Sequence, residues 1–152
     1  MNIRIITADD AELLTDLRMA MRRERESVKL EISEAEFRQN NLEYFRKAIS
    51  DGSYFGVAAE IDGQIAATGG ICFHIHPPSY SVLNGKSACL LNMYTLPDYR
   101  GRGIAGKIVL YLLEIAKKNG CSQVTLNASS MGKSLYSKIG FKDVANEMVY
   151  QF

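Results

Sequence analysis

The chain carries almost no net charge: 18 Lys and Arg stand against 17 Asp and Glu, leaving +1. So even a balance lacks the basic field that gathers nucleic acid or an anionic bilayer, and neither partner is expected. No apolar run approaches the ~20 residues needed to cross a membrane. There are three cysteines, Cys72, Cys89 and Cys121, odd in number and scattered, which argues against a disulfide framework. The N-terminal Met1-Asn2-Ile3-Arg4-Ile5 runs straight into folded-looking sequence rather than a secretory leader. Reduced thiols in a cytoplasmic protein are the expectation. The two histidines, His74 and His76, have no third ligand near them, so no metal is expected. What remains is ordinary globular material: 152 residues, 47% hydrophobic and 23% charged, enough for one domain over 1–152 with a real core.

The periodicities order that domain. A short strand is expected over 2–6, followed by Thr7-Ala8-Asp9-Asp10, which has helix-capping chemistry. Leu13, Leu14, Leu17 and Met21 recur at helical spacing and predict a first helix to about Arg25. Ser33-Glu34-Ala35-Glu36 is a capping box opening a second helix, with Phe37, Asn41, Tyr44 and Ala48 on one face, and Asp51-Gly52 ends it. Strands over 54–61 and 64–75 flank the hairpin signal Asp62-Gly63, and Pro77-Pro78 and Asn84-Gly85 mark a loop over 76–87. A buried strand over 88–95 leads to an amphipathic helix over 103–119, whose apolar stripe is Ile104, Ile108, Val109, Leu112, Ile115 and Ala116. A strand over 121–128 follows, then a short helix capped by Ser129 or Ser130 and stopped at Gly140, and a last strand toward Phe152. The fold class is mixed α/β in a single domain: a mostly antiparallel sheet with a late strand–helix–strand unit.

The most informative stretch is Tyr99-Arg100-Gly101-Arg102-Gly103-Ile104-Ala105-Gly106. Its glycines fall where a strand becomes a helix. Unpaired N–H groups and the positive end of the helix dipole meet there, a combination suited to phosphate. The dinucleotide reading needs an acidic residue about 20 positions on. Leu126, Asn127 and Ala128 stand there instead, and the turn lies too late for a doubly wound sheet. A P-loop needs Gly-Lys-Ser/Thr, which is absent. NAD and ATP become minor alternatives.

The residues around the turn resemble a known family. Leu91-Asn92-Met93-Tyr94-Thr95-Leu96-Pro97-Asp98-Tyr99, followed by Arg100-Gly101-Arg102-Gly103-Ile104-Ala105, is similar to the acetyl-CoA signature of the GNAT superfamily of N-acetyltransferases, Gln/Arg-x-x-Gly-x-Gly/Ala. Leu126-Asn127-Ala128 and Ser134-Leu135-Tyr136-Ser137-Lys138-Ile139-Gly140-Phe141 resemble a second block of that family, in the right order. The resemblance implies a central mixed sheet in which a parallel strand pair splays apart, with flanking helices. It implies that acetyl-CoA is the cosubstrate. Its pyrophosphate would be held by Arg100, Gly101, Arg102, Gly103, Ile104, Ala105 and Gly106. Its pantetheine would lie along Met93, Tyr94 and Thr95, with Asn127 and Ser134 also touching the cofactor. Tyr136 takes the place of the family's general acid, and the Met93 N–H that of the donor to the thioester carbonyl. A phenol, with a free pKa near 10, stays protonated at pH 7 and can donate to a leaving thiolate.

The base is less legible. The run Ala88-Cys89-Leu90-Leu91-Asn92-Met93-Tyr94-Thr95 has no carboxylate, where some family members carry a glutamate. A water chain, water held by Asn92 or Cys89, and His74 as base are the options. Direct transfer in a ternary complex is expected, since neither Cys89 nor Cys121 has a motif-level His partner. The resemblance implies an amine acceptor, on a small molecule or a peptide, with Glu24, Glu26 and Lys29 and the loop over 76–87 as candidate groove walls. Only 142–152 follow Gly140-Phe141, too short for the family's closing hairpin at full length. A trimmed wall, or one supplied by a partner subunit in a homodimer, is the corresponding expectation. The rival reading is a non-catalytic acyl-CoA-binding module, which would keep the turn and lose the acid.

Overall fold

The computed structural model describes residues 1–25, 32–144 and 148–151. Five strands form one sheet in the order β1-β2-β3-β4-β5: β1 Asn2–Ile5, β2 Tyr54–Ile61, β3 Gln64–Ile75, β4 Lys86–Thr95 and β5 Gln123–Leu126. The first three pairings are antiparallel, and β4 with β5 is parallel. Helices α1 Ala11–Arg25 and α2 Glu34–Ser50 precede the β2–β3 hairpin; α3 Ile104–Lys118 and α4 Ser130–Ile139 bracket β5.

Period-2 alternation sorts the sheet's side chains to two faces. Val57 and Ala59 of β2 face one core, with Ile104, Ile108, Val109, Leu112 and Ala116 of α3. Tyr54 and Ala58 face the other, with Leu14 of α1 and Leu42, Phe45 and Ala48 of α2. The predicted α3 stripe is therefore the buried one, apart from Ile115, which is only partly covered. In α2 the buried set is Asn41, Leu42, Phe45 and Ala48, rotated from the predicted face. Tyr44 stays at the rim because its hydroxyl meets Cys72 Sγ at 3.0 Å while its ring edges onto Phe45 and Tyr54.

Caps fix the helix starts. Ser33 Oγ accepts from the Glu36 N–H, and Ser129 Oγ from the Gly132 N–H. Asp10 accepts from the Thr7 N–H and holds Arg4, whose guanidinium also reaches Glu60; that pairing pulls the Asp10 carboxyl down to about 2.

Two expectations change. No strand forms among the described residues after α4: residues 142–144 and 148–151 stay outside the sheet. The left-handed Gly140 (φ 114°) turns the chain off α4, and residues 145–147 and 152 of the expected last strand lie outside the described residues. The expected strand over 121–128 contracts to Gln123–Leu126. Cys121 is spent closing α3 instead, its N–H donating to Ala116 O, and the Ser122 N–H donates to Lys86 O.

Candidate active site

The site grows from one irregularity in the sheet. Thr68 of β3 faces Tyr94 of β4, but Gly70 faces Leu91, so Gly69 stands opposite two residues, Asn92 and Met93. This is a β-bulge in β4, with Asn92 in the left-handed region at φ 54°. Asparagine is among the residues that tolerate that conformation, and here its side chain is locked as well. Asn92 Oδ1 accepts from Arg18, and its amide donates to the buried Tyr54 hydroxyl at 3.4 Å. Arg18 is in turn held by Asn41 Oδ1 at 2.5 Å. Burial pushes the Tyr54 hydroxyl well above the ordinary tyrosine range.

The glycine opposite the bulge has a steric reason. A Cβ on Gly69 would stand 2.5 Å from Ile108 Cγ2 and 2.6 Å from Met93 Sδ. Gly69→Ala therefore forces α3 or Met93 outward. The expected loss is about 1–3 kcal/mol of stability, read as a lower denaturant midpoint at unchanged slope.

Downstream of the bulge the parallel pair separates. Ser87 through Leu90 pair with Gln123 through Leu126, and no pairing continues beyond Leu90. Into that opening faces a cleft of about 580 Å³, walled by Met93, Tyr94 and Thr95 on one side and by α4 on the other. Its floor is the turn into α3. Gly101 and Gly103 are both left-handed, at φ 74° and 73°, and Gly103 caps α3 with no side-chain hydrogen bond. The first turn of α3, Ile104-Ala105-Gly106, lines the cleft with no acidic residue in it. Its leading N–H groups lack intrahelical partners by construction, which makes this an anion cradle.

Two cations flank the cradle. Arg100 donates to Thr95 O at 2.9 Å and to Glu24 at 2.6 Å, and stacks over the Tyr94 ring. Glu24 also accepts from the Tyr94 hydroxyl at 2.6 Å. These two donors, Tyr94 first, hold the Glu24 carboxyl below its ordinary value, while burial and Glu24 raise the Tyr94 hydroxyl. Arg102 lies over the Tyr99 ring, 5.4 Å from its centroid.

On the α4 wall, Ser134, Leu135 and Tyr136 line the cleft. Gly132 makes room for the tyrosine, since a Cβ there would sit 2.9 Å from the Tyr136 ring. Phe141 packs edge-on to that ring at 5.9 Å. Leu135 Cδ1 would lie 3.5 Å from a Cβ on Gly106, so α3 and α4 approach closely at the cradle.

The structure thus brings together Met93, Tyr94, Thr95, Arg100, Gly101, Gly103, Ile104, Ala105, Gly106, Ser134 and Tyr136. Arg102 borders the turn. Asn127, past the end of β5, lines a separate cleft on that strand's outer side. His74 pairs in register with Ser87, six residues along β3 from the Thr68–Tyr94 level, or roughly 20 Å at strand rise. It is exposed there and lines neither cleft. His76 is engaged with Ser87 Oγ at 3.0 Å. Asn92 is committed to Arg18 and Tyr54 rather than to solvent. Glu24 stands at the cleft as a partner of Arg100; Glu26 and Lys29 lie outside the described residues. Met21, Ser129, Met131 and Lys138 also line the cleft and were not anticipated. The glycine pair Gly69-Gly70 inside a strand was the available signal for the bulge.

A split sheet over a glycine-rich anion cradle defines a class of α/β domain that seats an extended, phosphate-bearing ligand. The chain belongs to the acetyltransferase (GNAT) family, whose model matches residues 14–141. It is 38% identical over 69 residues to the thialysine N-epsilon-acetyltransferase of Bos taurus, covering 43% of this chain and 41% of that one. It is 27% identical over 96 residues to the glucosamine 6-phosphate N-acetyltransferase of Arabidopsis thaliana, covering 63% and 62%. The matches thus span less than two thirds of those curated relatives. Among solved structures, a predicted acetyltransferase from Clostridium acetobutylicum with acetyl-CoA superposes at TM-score 0.88 with 29% identity, covering 99% of this chain and 95% of that one.

Proposed function

We propose that the protein transfers an acetyl group from acetyl-CoA to an amine by direct attack in a ternary complex. The observation that carries this reading is the joining of an anion cradle at α3 to a split strand pair with a tyrosine in its wall. The residues fit CoA: the N–H groups of Ile104, Ala105 and Gly106 would take the pyrophosphate, with Arg100 adding charge. The arm would lie along Met93, Tyr94 and Thr95, pairing with backbone as an added strand does.

In that pose the bulge aims the Met93 N–H at the thioester carbonyl, where it stabilises the developing oxyanion. The amine nitrogen forms the new bond to the acetyl carbon, the carbon–sulfur bond breaks, and Tyr136 gives its proton to the departing thiolate. The amine's own proton leaves through water, since the one carboxylate among the described residues lining the cleft, Glu24, is held by Tyr94 and Arg100 and is a poor base. The acceptor is a small-molecule amine, the class named for the thialysine and glucosamine 6-phosphate relatives. The test is thiol release from acetyl-CoA across a panel of amines, with parallel binding of CoA, ATP and NAD.

A further inference from the structure

Tyr54 is 2% exposed, yet it carries a hydroxyl that packing alone does not need. Its ring lies over Gly56 and Gly70, which face each other in register on β2 and β3. A Cβ on Gly56 would stand 2.9 Å from Tyr54 Cε1, and one on Gly70 would stand 2.0 Å from the hydroxyl oxygen. Neither glycine is at positive φ, so what they supply is room for the ring. Phe45 closes the seat from α2, edge-on at 5.3 Å. Two side chains are thus given up so that this phenol reaches from β2 across β3 to β4. There its oxygen accepts from the Asn92 amide at 3.4 Å.

Asn92 is the bulge residue at φ 54°, and the peptide that follows it carries the Met93 N–H. A peptide unit is planar, so the two torsions of Asn92 set where that N–H points. The Asn92 side chain is fixed from both ends: its nitrogen donates to Tyr54, and its oxygen accepts from Arg18 of α1. Asn41 repeats the arrangement, its oxygen accepting from Arg18 at 2.5 Å and its nitrogen donating to Phe37 O of α2 at 2.7 Å. The polar chain therefore runs from the backbone of α2 through α1 to the bulge, and Tyr54 is its far anchor.

We propose that Tyr54 is a positioning residue: its buried hydroxyl, acting through Asn92, aims the Met93 N–H at the thioester carbonyl. This role rests on the acetyl-transfer reading, since only a bound thioester gives that N–H its acceptor. A phenylalanine would fill the glycine seat equally well, and the hydroxyl is the part that meets the bulge.

Tyr54→Phe keeps the ring and removes one oxygen. It should lower kcat by about 10- to 100-fold, less than removing an oxyanion donor outright, and leave the KM for acetyl-CoA unchanged. Tyr44→Phe removes a hydroxyl from the rim of the same core, one that meets Cys72 and not Asn92, and should leave kcat as it is. Asn92→Gly keeps the left-handed backbone accessible and cuts the tie. Its kcat should match that of Tyr54→Phe, and the double variant should fall no further, because both changes break one connection. The Met93 amide reports the geometry without turnover. In protein carrying isotope-labelled methionine, with Met93→Leu assigning the signal, that amide resonance should shift further with acetyl-CoA than with CoA. The acetyl-specific shift should shrink in Tyr54→Phe and in Asn92→Gly, and persist in Tyr44→Phe. No acetyl-specific shift in the native protein would overturn the placing of the carbonyl at Met93, and this role with it. A native shift retained in Tyr54→Phe, or a kcat untouched by both Tyr54→Phe and Asn92→Gly, would overturn the role alone and leave acetyl transfer standing.

Discussion

Tyr136→Phe lowers kcat by about 100- to 1,000-fold, within the range for losing a positioned proton donor, and leaves the KM for acetyl-CoA unchanged. The substitution removes one oxygen and keeps the ring, so the packing on Phe141 and over Gly132 survives. Binding should persist because the proposed cradle lies on α3 and the proposed contacts of the arm lie on β4. The proton delivered to the leaving sulfur is lost. A thousandfold drop corresponds to about 4 kcal/mol of barrier. Steady-state kinetics with the preferred amine, alongside a thermal melt, decides the matter. Full turnover in a folded, CoA-binding variant would reduce Tyr136 to a packing aromatic.

Gly103→Val should weaken acetyl-CoA binding by about 30-fold or more, equivalent to about 2 kcal/mol. The backbone there sits at φ 73°, and nothing lies within 4 Å of an added Cβ, so the penalty is conformational and not a clash. A β-branched residue is a genuine outlier in that region. The turn must relax, and the N–H groups of Ile104, Ala105 and Gly106 lose their common aim. Gly52→Val supplies the control. Gly52 has φ 77° and equally open surroundings, but it ends α2, away from the cleft. Both variants should lose similar stability, and only the Gly103 variant should lose affinity by titration calorimetry. Equal affinities in the two would mean that the turn at Gly103 does not hold the cofactor.

Local chemistry made much of this molecule legible in its sequence. Asp62-Gly63 marked the hairpin between β2 and β3 at its observed ends, and Ser33 and Ser129 cap α2 and α4 as their hydroxyls suggest. The glycine turn declared itself because left-handed backbone at a helix start leaves few residue choices. Long-range pairings stayed hidden. The bond from Glu24 to Arg100 joins residues 76 apart, and no periodicity in α1 announces it. The bulge at Asn92 depends on register with β3, where Gly69 and Gly70 are its local cue. The distance of His74 from the cleft stayed hidden for the same reason. Its side chain was visible, but its level along the sheet was set by pairing with Ser87. The expected last strand falls partly on residues 145–147 and 152, outside the described residues, and none forms over 142–144 or 148–151.

The central claim is transfer, and amine-dependent thiol release from acetyl-CoA measures it most directly. The expected result is tight CoA binding, weak binding of ATP and NAD, and saturable thiol release with at least one class of small-molecule amine, lost in Tyr136→Phe. Tight CoA binding with no amine-dependent release across the panel would contradict it and leave an acyl-CoA-binding module.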